Sequence, residues 1–254
     1  MGTPVARPEP GRAAILWSVG AADDTSVARE AAAAAAVELV EPDTTIGLGS
    51  GRAVWKVVEQ IARRWPGHPP LRAVTASNRT AALARDVGIE LAELDGELEL
   101  ELALDGADEL DPDLRLLKGG GGALLREKIV ISAARRFVVV AETPKRVRHL
   151  GERFPLPVEV VRFAWRDTRR RLASLLPHSR LRMDGEDAYV TDEGHYILDC
   201  PLGPDAALEA LDSEVKLVPG VVEHGLFLGM AERALLGRPD GGVDVVSRSG
   251  RPHS

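Results

Sequence analysis

The chain has 254 residues, a formal charge of −7 and an isoelectric point near 5.5, and only 4% of its residues are aromatic. That length can bury a substantial core and suits one large domain, or a large domain with a small one. The acidic balance and the scarcity of rings argue against a general nucleic-acid binder, which needs a concentrated basic footprint. A lone cysteine, Cys200, rules out an intrachain disulfide framework; at the end of the apolar run "YILDC" it reads as a buried structural thiol in a reducing compartment. No apolar run approaches the roughly 20 residues that span a bilayer, and the scattered histidines form no zinc-ligand spacing.

Residues 1–22, rich in Pro, Gly, Ala and Arg, are expected to form a mobile arm. The ordered chain is expected to open with the helix "DDTSVAREAAAAAAVELV", where Asp and Ser precede an alanine run of strong helix propensity. A regular beat follows. "TTIGLG" reads as a strand and "GRAVWKVVEQIARRW" as a helix; "LRAVTAS" is a second strand and "RTAALARDVG" a second helix. Then come strands at "IELAEL" and "LELALDG", a glycine loop, the helix "ALLREKIVISAARR" and the strand "FVVVAE". Strands alternating with helices predict an α/β fold, an open, mostly parallel sheet covered by helices on both faces in the Rossmann-like manner.

Past residue 155 the rhythm changes to β-α-β-β-α-β: strand "VEVVRFA", helix "WRDTRRRLASLL", strands "SRLRMDG" and "HYILDC" separated by the turn "TDEGH", helix "PDAALEALDSEVKLV", and strand "VVEHGLFLG". That order predicts a smaller α+β domain of the ferredoxin-like type inserted near the C-terminus. Residues 155–225 form it, and 23–154 with 226–254 form the larger catalytic domain. The final "SGRPHS" is expected to fray.

In an open parallel sheet, ligands bind at the carboxyl ends of strands. Three loops there carry chemistry. "GLGSGRA", residues 47–53, leads from a strand into a helix, so backbone N–H groups and the helix N-terminus could cradle a phosphate; it lacks the pattern of a dinucleotide fingerprint or a P-loop. "TASNRT" reads as a helix cap. "DGADELD" places Asp105 and Asp108 three apart at a strand end; crowded carboxylates split their proton affinities, while a magnesium site and a plain acidic turn are the competing readings. "KGGGGALLREK" offers Lys118 to steady an oxyanion and Glu127 as a general base, and Lys145 sits at another strand end. An anion cradle, a lysine, an acid pair and a carboxylate base suit proton abstraction beside a carbonyl, as in aldose–ketose isomerisation of a phosphorylated sugar.

From about residue 26 to 245, "DGADELD", "LLKGGGGALLREKIV", "FPLPVEVV", "YILD" and "PGVVEHGLF" together resemble the type A ribose-5-phosphate isomerases. The resemblance implies an α/β domain with a ferredoxin-like one, a cytoplasmic homodimer with no membrane or nucleic-acid partner, and interconversion of D-ribose 5-phosphate and D-ribulose 5-phosphate in the non-oxidative pentose phosphate pathway, with no metal or organic cofactor. By the same resemblance Glu127 would move a proton between C2 and C1 through an enediolate. Asp105 would assist ring opening and oxygen protonation, Asp108 would hold sugar hydroxyls, and Lys118 would stabilise the enediolate oxygen. Ser50, Gly51, Arg52 and Ala53, the turn Asp105–Gly106–Ala107–Asp108, Lys118 with Gly119, Gly120 and Gly121, and also Arg29 and Lys145, would contact substrate.

Two places depart from the commonest pattern: the loop usually reading GTGST is "GSGRA" here, and a lysine of the first helix is replaced by Arg29. Arginine can still bind phosphate, in a bidentate manner. The alternatives left open are an isomerase of another phosphosugar, an aminosugar-phosphate deaminase or CoA transferase, and a non-catalytic sugar-phosphate sensor. Such sensors carry a helix-turn-helix, for which the residues before the first helix are too few.

Overall fold

The computed structural model describes residues 24–248. The arm expected at 1–22 and the frayed end at 249–254 lie outside the described residues. In chain order the first half runs α1 (Asp24–Val37), β1 (Thr45–Leu48), α2 (Arg52–Arg64), β2 (Arg72–Thr75), α3 (Asn78–Asp86), β3 (Glu90–Leu91), β4 (Leu102–Asp105), β5 (Glu109–Leu110), β6 (Leu116–Leu117), α4 (Leu124–Ser132) and β7 (Phe137–Glu142). The second half runs β8 (Leu156–Val160), α5 (Trp165–Leu172), β9 (Arg180–Leu181), β10 (Met183–Asp184), β11 (Asp187–Ala188), β12 (Tyr196–Cys200), α6 (Leu208–Lys216), β13 (Val221–His224), β14 (Leu226–Phe227), β15 (Arg233–Gly237) and β16 (Val243–Ser247).

Seven strands form the main sheet in the order β16-β15-β7-β4-β1-β2-β3, all parallel except the edge strand β16. Its central strands β1, β4 and β7 are wholly buried and carry near-continuous apolar runs such as "FVVVAE", as covered parallel strands require. Alternate residues divide the core in two. Ile46, Leu48, Leu102, Leu104, Val138 and Val140 pack with α1 and α2, while Ala103, Val139, Ala141, Ala234 and Leu236 face Ile131 of α4 and Phe227. From β1 the order runs outward through β2 one way and through β4 the other, so the switch point, where a ligand crevice opens in such sheets, lies between β1 and β4.

The second sheet is antiparallel, in the order β13-β8-β12-β9, with α5 following β8 and α6 preceding β13. This is the expected split β-α-β-β-α-β unit, with its own core of Leu156, Val158, Leu172, Leu198, Cys200 and Val215. Burial pushes the Cys200 thiol up to about 12, so it stays protonated and inert.

Several expected elements come out differently. "IELAEL" keeps only the two residues of β3 in the sheet. Beyond them, Asp95 Oδ1 accepts from the N–H groups of Glu97 (3.0 Å) and Leu98 (2.9 Å), and that side-chain turn outcompetes strand pairing. "SRLRMDG" splits into β9 and β10, the latter forming a hairpin with β11. "VVEHGLFLG" also divides: β13 joins the second sheet, and β14 pairs with β6 in a small third sheet, β14-β6-β5. That third sheet arises from "DELDPDLRLL", whose two-residue strands are too short to announce themselves by alternation. It lies between the other two, and Phe227 of β14 is fully buried within it. We expect Phe227→Ala to lower stability by about 3–5 kcal/mol, read as a reduced urea midpoint, because the buried ring packs between the third sheet and the main sheet with α4.

Candidate active site

A cleft of about 390 Å³ opens at the switch point, over the carboxyl ends of β1, β4 and β7. Its first wall is the loop from β1 into α2. Gly49 must be glycine here, because a Cβ would stand 1.9 Å from Cγ of Asp105. Ser50 N donates to Asp105 Oδ1 at 3.1 Å, and Ser50 Oγ donates to Ser77 Oγ at 3.0 Å. Gly51 caps α2, and Arg52 and Ala53, in the first turn, line the cleft. Amides of a first helical turn lack intrahelical partners and carry the positive end of the dipole, which suits an anion. "TASNRT" does what its residues suggest: Ser77 accepts from Thr80 N at 3.2 Å as the cap of α3.

The second wall is the turn after β4. Asp105 ends that strand fully buried, and Oδ1 accepts from Gly106 N at 2.7 Å as well as from Ser50 N. Gly106, Ala107 and Asp108 line the cleft directly, whereas Asp105 does not line it and touches Lys118, which does. Asp108 Oδ2 accepts from Gly120 N at 2.7 Å, tying this turn to the glycine loop. The rest of "DGADELD" is structural. Glu109 is buried and accepts from the N–H groups of Gly151 (2.6 Å), Arg153 (2.6 Å) and Phe154 (2.9 Å), which sets Phe154 at the cleft rim; Asp111 accepts from Asp113 N and Arg115 N.

Lys118 follows β6 and is 3% exposed. Its Nζ donates to Gly106 O at 2.7 Å and lies 2.8 Å from Asp105 Oδ2 and 3.1 Å from Glu127 Oε2. Those two oxygens are in ion-pair contact with the ammonium, and among the described residues no other group satisfies them. Buried acceptors of this kind are uncommon and ask for a partner. Glu127 sits in the first turn of α4, 5% exposed, so helix geometry aims its carboxylate back at the lysine.

The electrostatics follow from two carboxylates sharing one cation out of water. Burial, reinforced by the charge of Asp105 and opposed by Lys118, pushes Glu127 up to about 8. Asp105 is raised above the usual carboxylate range by burial, against the pull of Lys118. Burial alone would lower the Lys118 ammonium, but Asp105 and Glu127 outweigh it and raise it, so it remains charged. Glycines 119–122 connect lysine and base. Gly119 and Gly122 take φ of 102° and 82°, a left-handed backbone that disfavours side chains, and Gly119, Gly120 and Gly121 line the cleft.

Arg29 of α1 and Lys145, in the short turn after β7, complete the basic rim. Arg29 is ion-paired with Glu142, and Lys145 Nζ lies 5.1 Å from the Phe154 ring centroid. Apart from Asp105, which reaches the cleft through Lys118, the residues expected to contact substrate line this one cleft. The sequence reading missed Glu142, Trp55 and Phe154. The first of these was findable, since it is the last residue of a parallel strand, where ligands gather; nothing local marks the other two.

Base, cation and buried acid around an anion cradle can abstract a proton beside a carbonyl and hold the resulting oxyanion. Comparison with known proteins points the same way. The family model described as "Ribose 5-phosphate isomerase A (phosphoriboisomerase A)" matches residues 72–241. A ribose-5-phosphate isomerase A from Roseiflexus castenholzii is 50% identical over 225 residues, 87% of this chain and 96% of the relative. One from Caulobacter sp. is 47% identical over 219 residues, covering 84% and 94%. The crystal structure of ribose 5 phosphate isomerase A from Neisseria gonorrhoeae superposes with a TM-score of 0.82 at 31% identity, covering 90% of this chain and 99% of that one; the Plasmodium falciparum ribose 5-phosphate isomerase gives 0.83 at 30%, covering 89% and 100%. The chain belongs to the ribose 5-phosphate isomerase A family.

The raised Glu127 makes a stability prediction with a definite sign. A carboxyl whose folded value of about 8 exceeds its ordinary 4.5 contributes stability below pH 4.5 that is lost as pH rises through 8. Glu127→Gln removes that loss. We expect the variant to be more stable than wild type above pH 8, on the order of a few kcal/mol, with the difference shrinking toward pH 4.5 in paired thermal melts.

Proposed function

We propose that Glu127, Lys118, Asp105 and Asp108 carry the interconversion of D-ribose 5-phosphate and D-ribulose 5-phosphate in this chain through an enediolate. The observation that supports this reading above others is the buried contact of Lys118 with both Asp105 and Glu127 beside the cleft. A base with proton affinity near 8 is matched to neutral pH: it is strong enough to take a carbon-bound proton and weak enough to return it. Glu127 takes the C2 proton of the open-chain aldose and delivers it to C1. Lys118, which stays charged, steadies negative charge as it develops on the adjacent oxygen. Asp105, with its raised proton affinity, exchanges the hydroxyl proton, and Asp108 holds a sugar hydroxyl while anchoring the glycine loop.

The phosphate end is taken by the first turn of α2 with Ser50, Arg52 and Ala53, together with Arg29 and Lys145. A guanidinium in the loop offers two parallel donors to phosphate oxygens where a hydroxyl would offer one. The sheet containing residues 155–225 acts as a small second domain beside the catalytic one. The homodimeric state and cytoplasmic location implied by the resemblance belong to the same proposal, with sedimentation of the purified chain as the check on the first. Among the described residues no helix is long and apolar enough to cross a membrane.

The central test is turnover of D-ribose 5-phosphate by chelator-treated protein, followed as D-ribulose 5-phosphate formed. Wild type is expected to turn over, and Glu127→Gln to lose about 10²- to 10⁴-fold in kcat, because an amide cannot accept the proton. An inactive wild type that still binds the sugar phosphate would sink the assignment and require a screen of other phosphosugars. Arg52→Ser is expected to raise KM for D-ribose 5-phosphate roughly tenfold with little change in kcat, the pattern of a binding contact felt equally in ground and transition states; an unchanged KM would remove Arg52 from the phosphate site.

A further inference from the structure

The glycine loop is held from outside the main sheet. Arg182, between β9 and β10, donates from Nη1 to Gly119 O at 2.8 Å and to Gly120 O at 3.1 Å. Its other donors fork onto Asp199 of β12, Nε to Oδ2 at 3.0 Å and Nη2 to Oδ1 at 2.5 Å. Tyr189 Oη donates to Gly121 O at 3.1 Å. Three consecutive carbonyls of the loop are thus taken by side chains of the second sheet and its hairpin. Asp199 is the last residue of "YILD", a motif to which the reaction itself assigns no work.

In a trans peptide, C=O and N–H point to opposite sides, and no cis peptide occurs among the described residues. The peptide joining Gly119 and Gly120 is therefore gripped at both ends, its carbonyl by Arg182 and its N–H by Asp108 Oδ2 at 2.7 Å. The next peptide has its carbonyl on Arg182, so the N–H of Gly121 is turned the opposite way; among the described residues no protein group accepts from it. Gly121 lines the cleft. Glycines have no side chains to fix these dihedrals, and Gly120 and Gly121 are exposed, so beyond the loop's own turn bond from Gly122 N to Gly119 O at 3.0 Å the restraint comes from outside. A charged donor on the carbonyl side also polarises each peptide, strengthening its N–H as a donor.

We infer that Arg182, locked by Asp199, is a positioning residue of this active site: it orients the glycine-loop peptides so that Gly121 N–H donates to a substrate oxygen and Asp108 keeps its place. Arg182 acts through the loop and touches no reacting atom. This inference rests on the isomerase reading. A lysine cannot replace it, because an ammonium offers a single point where a planar fork must hold one carboxylate and two carbonyls at once.

The experiment uses the full chain with Arg182→Ala, Arg182→Lys and Asp199→Asn. It measures kcat and KM for D-ribose 5-phosphate, the melting temperature, and amide hydrogen exchange of a peptide spanning residues 118–123. Arg182→Ala is expected to lose roughly ten- to a hundredfold in kcat/KM, as misplacement of supporting geometry does, with KM raised, the pH profile unchanged and loop exchange accelerated. Millimolar guanidinium is expected to restore part of the loss, which repair of a general folding defect would not explain. Arg182→Lys is expected to melt like wild type yet keep the raised KM. Wild-type kcat/KM in Arg182→Ala, or a loss that tracks melting and is deaf to guanidinium, overturns the inference while leaving the isomerase reading intact. If wild type itself fails to turn over the sugar, the isomerase reading falls, and loop exchange alone decides: unchanged exchange in Arg182→Ala overturns the positioning role as well.

Discussion

One buried ammonium shared by two buried carboxylates is the constraint to which the rest of this molecule answers. Lys118, Asp105 and Glu127 are each at most 5% exposed, and charges removed from water cost several kcal/mol apiece unless their partners are well placed. With two anions for one cation the account does not balance at neutral pH. The excess is resolved by holding a proton more tightly, which is why Glu127 reaches about 8. Replacing a buried ionic cluster by apolar groups of similar volume is often neutral or stabilising. The arrangement is therefore evidence of chemistry, since a proton acceptor poised near neutrality beside a permanent cation is what stepwise proton transfer through an oxyanion requires.

Holding three such groups within about 3 Å demands supports on every side, and each sheet contributes one. The main sheet supplies Asp105 at a strand end and lets Ser50 N and Gly106 N fix its outer oxygen. The third sheet supplies Lys118 and, through Gly225, the backbone that steadies it: Lys118 N donates to Gly225 O at 2.9 Å. The "PGVVEH" segment holds the helix carrying Glu127. Lys128 Nζ donates to Glu223 Oε1 at 2.8 Å and to His224 O at 2.9 Å. His224 in turn accepts from Leu226 N on Nδ1 and reaches Asp212 O through Nε2, a pattern that needs the neutral ring. Burial, with Lys128 nearby, pushes that imidazole down to about 4, so the ring stays neutral across the pH range in which Glu127 titrates.

The parts of the fold legible in sequence were those governed by periodicity. Buried parallel strands such as "FVVVAE" and amphipathic helices such as α2 declare themselves because burial on one or two faces dictates their composition over many residues. The β-α-β-β-α-β rhythm of the second sheet was readable for the same reason. What escaped was set by one or two residues against the local pattern: the side-chain turn at Asp95 that ends β3, and Gly225, where one apolar run serves two sheets. The site divides along the same line. Asp105, Asp108, Lys118 and Glu127 stand at strand ends or helix starts, where topology concentrates function. Glu109 and Asp111 look identical to them in the sequence; only the buried backbone donors they meet reveal a structural duty.

The glycine loop shows why the two halves of the chain must be read together. A run of four glycines cannot specify its own conformation, because each residue has a large area of φ/ψ open to it. What it does offer is backbone close enough to a ligand to donate directly. Precision is then imported: Asp108 from the turn after β4 takes one N–H, while Arg182 and Tyr189, beside β9 and the β10–β11 hairpin, take three carbonyls. Asp199 spends both its oxygens on keeping the Arg182 guanidinium still. A single planar cation thus bridges a carboxylate on the second sheet to the loop between β6 and α4, so the conformation of the glycine loop depends on where the second sheet sits.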